Sequence, residues 1–261
     1  MLPEIDVLGL SLKTFGLFFA LSFVVSGAIV TRRLKELGRP PDWAYEMVFA
    51  ALVGGLIGAR GYWLLGNLDE LSADPLAAIF GGSGLVWYGS VIGGAAGVLL
   101  WARRRDMINL GFADMCAPAL AMGYAFGRVG CQVSGDGDYG SATDLPWGMA
   151  YPDGVVPTDE VVHPTPIYET LAMGLGAWVL WRLRDSFRPG VLFAGYLVLA
   201  GVERLLVEFV RRNDPVLAGL TEAQLASLVM LVAGIAWLVR ASRSGGLRLE
   251  RAQRPAAPAA A

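Results

Sequence analysis

Histidine and cysteine are nearly absent from this chain, which has one histidine and two cysteines in 261 residues. Structural and catalytic zinc sites draw three or four ligands mostly from these two residue types. The sequence also has no CxxC or HExxH pattern, and two cysteines, Cys116 and Cys131, are too few for a disulfide framework. We therefore expect no metal and no cofactor.

Signatures of nucleotide and acyl-ester chemistry are also missing. The chain has no GxxxxGK[ST] phosphate loop and no GxSxG nucleophile turn, so nucleotide hydrolysis and serine-hydrolase chemistry lack their usual signals. The formal net charge is -2, without the basic surplus that attracts nucleic acid. We expect no nucleic-acid partner.

Charged residues are scarce, and apolar residues fill their place. Only 17% of the residues are charged, whereas 55% are hydrophobic, and the mean hydropathy is +0.51. An ordinary soluble domain is more polar than this. The composition therefore predicts a polytopic membrane protein.

Apolar runs of about 17 to 25 residues, the length that crosses a bilayer as a helix, occur seven times. They lie near residues 14–31, 44–66, 84–102, 109–130, 164–183, 190–210 and 222–240. The sequence thus predicts an all-α membrane protein of about seven transmembrane helices, with a single polytopic domain over residues 1–241. An outer loop or head region is expected at 131–163, and the Pro/Ala-rich tail, 242–261, is expected to be disordered.

Lysine and arginine are distributed unevenly between the connections. Fifteen lie in 32–42, 103–106, 182–188 and the tail from Arg240, whereas the alternate connections hold only Lys13, Arg211 and Arg212. Because basic residues are retained on the cytoplasmic side, we expect the N-terminus outside and the C-terminus in the cytoplasm.

Three arginines lie inside the predicted spans, toward their outer ends: Arg60, Arg128 and Arg204. A charge in hydrocarbon costs several kcal/mol unless it meets an anion, water or a partner, so it marks a candidate site. Arg204 has Glu208 at i+4, whereas Arg60 and Arg128 have no obvious local partner. This predicts a surplus of positive charge that binds a lipid phosphate, to which arginine makes bidentate bonds. The alternative is that carboxylates neutralise each arginine and the pairs only fix helix packing.

The segment His163-Pro164-Thr165-Pro166-Ile167-Tyr168-Glu169 opens the fifth apolar run. Prolines fit a helix start, so His163, Tyr168 and Glu169 are expected together at the membrane interface. His163 as a helix cap and Tyr168 as an interfacial aromatic remain open alternatives. Asp136 and Asp138 are either site residues or ordinary loop acids between turn-forming glycines.

Several of these segments resemble motifs of the bacterial prolipoprotein diacylglyceryl transferase family. Gly127-Arg128 through Gly140 is similar to its G-R-x-G-N-F-x-N-G-E signature, and the segment at 163–169 to its H-P-[ST]-x-x-Y-E motif. Residues 204–211 resemble its R-x-x-x-E-x-x-R stretch, and 58–62 its G-[GA]-R-x-G-Y stretch. Order and spacing agree over about residues 14–241.

The resemblance implies an enzyme of the bacterial inner membrane. It would move the diacylglyceryl group of phosphatidylglycerol to the lipobox cysteine thiol of a preprolipoprotein signal peptide and release glycerol phosphate. The expected partners are therefore phosphatidylglycerol, this peptide and membrane lipid. The alternative is a non-catalytic or altered-substrate paralogue that binds or transports an anionic lipid.

The resemblance also implies residue roles. Arg128 would bind the phosphate and Arg204 would stabilise it as it leaves. Substrate-binding positions would include Arg60, Asp136, His163, Tyr168, Glu169 and Glu208. The chain departs from the family at Tyr88, which stands where a histidine proposed to act in catalysis is usual, so a phenol with a pKa near 10 replaces the usual base. It departs again at Cys131, where asparagine is usual.

Overall fold

The structure is a computed structural model that describes residues 1–7, 9–80 and 86–249. It is mainly helical. The helices are α1 (Thr14–Glu36), α2 (Trp43–Gly66), α3 (Leu68–Ala73), α4 (Pro75–Phe80), α5 (Trp87–Arg104), α6 (Leu110–Ser134), α7 (Thr165–Arg182), α8 (Val191–Glu208) and α9 (Glu222–Arg243).

Each of the seven predicted apolar runs forms a helix of at least 18 residues: α1, α2 and α5 to α9. Three of them, α1, α2 and α9, are long and apolar enough to cross a membrane by length and composition. The chain is therefore a helical membrane protein. The first residues of the run predicted at 84–102, and the tail from residue 250, lie outside the described residues.

Two short β-hairpins, which the sequence did not predict, stand outside the long helices. Strands β1 (Glu4–Val7) and β2 (Leu10–Lys13) pair antiparallel, with Glu4 opposite Lys13. Strands β3 (Met149–Tyr151) and β4 (Thr158–Val162) pair antiparallel in the predicted outer loop. The all-α class is thus correct for the long apolar segments only.

The chain divides into two compact units, one of which spans Val30–Phe112. In this unit α2 packs against α5 through glycines. A Cβ atom on Gly58 would lie 2.7 Å from the Cα of Gly93, so a side chain at either position would force the helices apart. The small-residue run that precedes Arg60 therefore serves close helix packing.

The other unit contains Met1–Ile29 and the chain from Ala113 onward. Its apolar core joins α6, α7 and α8, and its buried members include Ala117, Ala121, Met173, Ala177 and Leu192. Helix α9 packs on α8 through Gly201, where a Cβ atom would lie 2.9 Å from the carbonyl oxygen of Ser227.

Polar side chains bind the free backbone N–H groups at the starts of two helices in this unit. Asp114 of α6 accepts hydrogen bonds from the backbone N–H of Gly190 at 2.7 Å and of Phe193 at 2.8 Å, which satisfies free donors at the start of α8. Thr221 and Gln224 form a capping box at the start of α9. Asp114 thus has a structural role.

The outer loop has a small core of its own. Tyr139 and Tyr151 stack with ring centroids 4.8 Å apart, and Val162 is fully buried against them. The Tyr151 hydroxyl donates to the side-chain oxygen of Gln132 at 2.9 Å. This contact ties the loop to the end of α6, next to the segment that carries Arg128.

Candidate functional site

Arg128 lies near the C-terminal end of α6, one turn after Tyr124. Its guanidinium lies over the Tyr124 ring, 4.9 Å from the centroid, and its exposed fraction is 16%. The chain leaves α6 through Gly135 and Gly137, whose φ angles are 62° and 96°, a conformation that glycine adopts without strain. These two glycines turn the loop back over Arg128.

Asp138, carried by that loop, bridges two arginines. One carboxylate oxygen accepts from Arg128 and the other from Arg211, which follows α8. Burial raises the pKa of Asp138, but the guanidinium groups of Arg128 and Arg211 outweigh it and hold the pKa below its usual value. Asp138 is therefore an ionised bridge between two segments distant in sequence.

Glu169 of α7 lies at the centre of the cluster and is fully buried. Its Oε1 accepts from the Tyr124 hydroxyl at 2.7 Å and from Arg204 at 3.0 Å. Its Oε2 lies 3.3 Å from Nε of Arg128 and 3.5 Å from Nη1 of Arg211. One carboxylate thus orients three guanidinium groups, from α6, α8 and the segment after α8.

Glu208 anchors Arg204 from the other side. Its Oε2 lies 3.0 Å from Nη2 of Arg204, which confirms the predicted i, i+4 pair. Its Oε1 accepts from the Asn213 amide and the Thr221 hydroxyl, both at 2.7 Å. Because Glu208 is itself fixed by these bonds, Arg204 is held in one orientation, and its side chain keeps an exposed fraction of 22%.

The predicted surplus of unpaired positive charge is wrong for this cluster. Arg128, Arg204 and Arg211 face three carboxylates that bind them: Asp138, Glu169 and Glu208. Helical spacing in the sequence showed no partner for Arg128, because the two carboxylates that bind it, those of Asp138 and Glu169, come from distant segments. A phosphate that binds here must therefore share the guanidinium groups with carboxylates or displace one.

His163, Tyr168 and Trp147 meet at the edge of this unit. The Tyr168 hydroxyl accepts from the Trp147 indole N–H at 2.8 Å and lies 3.3 Å from Nδ1 of His163. The structure thus brings His163 and Tyr168 together, as the sequence predicted. The next residue, Glu169, instead lies in the buried cluster of arginines and carboxylates.

Cys131, Asp136 and Asp138 place their ligand atoms within 4.8 Å of one another. Such a set of ligand atoms can bind a metal cation. Here, however, Asp138 is bound by Arg128 and Arg211, and their positive charges oppose a metal ion. Asp136 accepts the backbone N–H of Asp138 at 3.2 Å. The charges around this group of ligands therefore oppose a metal ion.

Arg60 and Tyr88 belong to the unit that spans Val30–Phe112. Arg60 lies over the Trp63 ring, 4.3 Å from the centroid. Tyr88 is the second residue of α5 and is partly buried. Their predicted catalytic and substrate-binding roles stay predictions.

Sequence reasoning missed three members of the cluster. Asp138 was left open between a site residue and a loop acid, and Tyr124 was not considered. Arg211 was placed only at the end of the 204–211 motif, whereas its side chain binds Asp138 and Glu169. The repeated Gly-Asp pairs of residues 135–138 were the available signal for Asp138, since they permit a tight return of the chain.

Comparison with known proteins gives one consistent result. A family model described as prolipoprotein diacylglyceryl transferase matches residues 4–240. The chain is 34% identical to a phosphatidylglycerol–prolipoprotein diacylglyceryl transferase of Chromohalobacter salexigens, over 92% of this chain and 94% of the relative. The protein of that name in Geobacter sulfurreducens is 32% identical over 90% and 92%, and that in Clostridium tetani 30% over 88% and 93%.

Proposed function

The chain belongs to the prolipoprotein diacylglyceryl transferase family, and we propose that Arg128, Arg204 and Arg211 form the site that binds its lipid phosphate. The protein is an enzyme that transfers the diacylglyceryl group of phosphatidylglycerol to the lipobox cysteine of preprolipoproteins. The observation that carries the site is the convergence of three guanidinium groups on Glu169.

The charge balance of the reaction explains why arginines are needed. The thiolate sulfur attacks the glyceryl carbon that bears the phosphate oxygen, a carbon–sulfur bond forms, and the carbon–oxygen bond breaks. The phosphate changes from a diester with one negative charge to a glycerol phosphate that gains a second one. Fixed guanidinium groups in a water-poor site stabilise that added charge more in the transition state than in the ground state.

Asp138 is the carboxylate that the phosphate displaces in this proposal. Glu169 and Glu208 are fully buried, whereas the Asp138 side chain is 32% exposed and stands on a glycine-flanked loop. Its two oxygens accept hydrogen bonds from Arg128 and Arg211, as two phosphate oxygens would. Glu169 and Glu208 then keep the guanidinium groups in place while Asp138 yields to the lipid.

The remaining predicted residues keep their predicted roles in the proposal. Arg60 and Tyr88 keep the substrate-binding and catalytic roles that the family resemblance implies. Asp136 contacts the glycerol head, and His163 and Tyr168, at the edge of the cluster, contact the peptide. The supporting observation is the shared contact of His163 and Trp147 with the Tyr168 hydroxyl.

The proposal includes an arrangement of the long helices in the membrane. We infer that the seven long helices cross the bacterial inner membrane as a single polytopic domain of residues 1–241, with the N-terminus outside. The uneven distribution of lysine and arginine supports this orientation. It puts the outer loop, and the peptide whose cysteine is modified, on the same side.

A transfer assay tests the activity. Purified protein is incubated with phosphatidylglycerol labelled in its acyl chains and with a lipobox peptide, and a matched peptide with serine in place of cysteine is the control. We expect label on the cysteine peptide alone and release of glycerol phosphate. The other function considered, a paralogue that only binds or transports anionic lipid, predicts lipid binding with neither product. The matched relatives do not favour it.

A further inference from the structure

Glu203 is a buried carboxylic acid of α8 that the phosphate site does not use. Its exposed fraction is 7%, and it precedes Arg204 directly in the chain. Its Oε1 is buried, and within the described part of the chain nothing donates a hydrogen bond to it. An unsatisfied buried carboxyl group destabilises a fold by several kcal/mol, so its presence calls for an explanation.

Packing does not supply that explanation. The same face of α8 is otherwise formed by Tyr196, Ala200 and Val207, at seven and three residues before Glu203 and four after it, and these side chains are buried or partly buried. A leucine or methionine would continue this face without desolvating a carboxylate. Glu203 is thus an acid at a position where helix packing favours an apolar residue.

Charged groups of every neighbouring element act on Glu203. The charges of Glu169 from α7, Arg128 from α6, Arg204 from α8 itself and Arg211 lie within electrostatic range. The phenols of Tyr124 and Tyr196 are also close enough to interact with its charge. The atoms of helix α9 that lie nearest to a Cβ atom built on Gly201 belong to Ser227 and Leu231. Glu203 therefore belongs to the phosphate site although it binds none of its arginines.

The reaction needs a group that the arginine cluster lacks. A free thiol has a pKa of about 8.5 and only its thiolate attacks well, so a proton must leave the lipobox cysteine. The three carboxylates that bind arginine are occupied: both oxygens of Asp138, Glu169 and Glu208 already face donors. At the position of the histidine usual in relatives, this chain has Tyr88.

We propose that Glu203 is the catalytic residue that accepts the thiol proton. This assignment rests on the proposed function. The Glu203 carboxylate takes the proton as the sulfur attacks the glyceryl carbon, and the electron pair of the broken carbon–oxygen bond leaves with the phosphate held by the arginines. Glu203 returns the proton to water when the product leaves. Its Oε1 accepts no hydrogen bond among the described residues, whereas Oε2 of Glu169 and Oε2 of Glu208 each lie against a guanidinium group.

The test separates proton transfer from binding and folding. E203Q keeps the shape of the side chain and removes the buried charge, and we expect kcat to fall by about 10²–10⁴, the usual contribution of general base catalysis, with the KM for phosphatidylglycerol unchanged. The remaining rate should rise tenfold per pH unit up to about 8.5, where the free thiol ionises. A lipobox peptide with selenocysteine, which is ionised at neutral pH, should restore the E203Q rate to within about threefold of wild type.

Matched controls decide between the possible outcomes. E222Q, an exposed acid in the first turn of α9, should act as wild type does. Full activity of E203Q, or an equal loss with the cysteine and selenocysteine peptides, would overturn the assignment. If E203Q does not fold, E203D is used: a selenocysteine-to-cysteine rate ratio above that of wild type supports the role, and an equal ratio rejects it. Wild-type protein that transfers nothing refutes the proposed function itself.

Discussion

Arg128 and Arg211 bind opposite oxygens of one carboxylate, that of Asp138, although 83 residues separate them in the chain. Glu169 contacts both guanidinium groups through its Oε2. Two forked donors aimed at one small anion are a suitable receptor for a phosphate. The Asp138 carboxylate binds both donors in the structure, and we propose that the phosphate takes its place.

Removing the charge of Asp138 should strengthen lipid binding. Asp138→Asn releases two guanidinium groups from a competing anion, so we expect the KM for phosphatidylglycerol to fall about tenfold, which corresponds to about 1.4 kcal/mol. The Tm should fall as well, because the bridge between α6 and the segment after α8 is lost. Steady-state kinetics against lipid concentration measure the effect. Asp144→Asn, on the exposed part of the same loop, is the control, and a higher KM in Asp138→Asn would reject displacement.

The carboxyl group of Asp136 should make the folded protein less stable as the pH rises. Burial, and then the charge of Asp138, raise the pKa of Asp136 above its usual value of 3.8. Because the folded state binds this proton more tightly, stability falls as pH rises from 3.8 through the raised pKa. Asp136→Asn should therefore raise Tm at pH 7, and this gain should vanish below pH 3.8. An equal gain at both pH values would contradict the assigned cause.

Tyr88→Phe tests the residue that replaces the usual histidine. If its hydroxyl hydrogen-bonds the phosphate, its loss costs about one hydrogen bond and kcat falls about tenfold. The shape of the pH–rate profile should not change, because a phenol with a pKa near 10 is not the base. A changed profile would make Tyr88 the proton acceptor in place of Glu203, and full activity would leave it a packing residue.

The glycine contact of α2 and α5 should tolerate no side chain. Gly58→Ala puts a Cβ atom 2.7 Å from the Cα of Gly93, and such overpacking costs about 1–3 kcal/mol. Gly61→Ala, in the same helix, meets nothing within 4 Å and should be neutral or stabilising, since alanine is the better helix former. Thermal unfolding in detergent measures both. Equal Tm values for the two variants would contradict the close approach.

Helix positions followed from the sequence because apolar length is a local property. All seven runs form helices, and the i, i+4 pair of Arg204 and Glu208 followed from helical spacing. The hairpins at 4–13 and 149–162 were missed because their short strands carry no apolar run. Strand pairing in these segments depends on turns and on loop packing, such as the stacked Tyr139 and Tyr151.

The charge balance of the site could not be predicted in the same way. Arg128 binds Asp138 at ten residues and Glu169 at 41 residues further along the chain, so no helical spacing reveals the pairs. Arg204 likewise reaches Glu169 across α7 and α8. Family motifs identified which arginines matter, whereas the tertiary fold determines which acid each one binds.

Replacement of Arg128 tests the central claim most directly. Transfer of labelled diacylglyceryl to a lipobox peptide is measured for wild type, Arg128→Ala, Arg128→Lys and the control Arg212→Ala. The side chain of Arg212 is 44% exposed, lies 4.0 Å from Glu160 and lies over the Tyr139 ring, 4.6 Å from its centroid. We predict no transfer for Arg128→Ala, a small residual rate for Arg128→Lys because the forked geometry is lost, and a wild-type rate for Arg212→Ala. Wild-type transfer by folded Arg128→Ala would contradict the phosphate site described above.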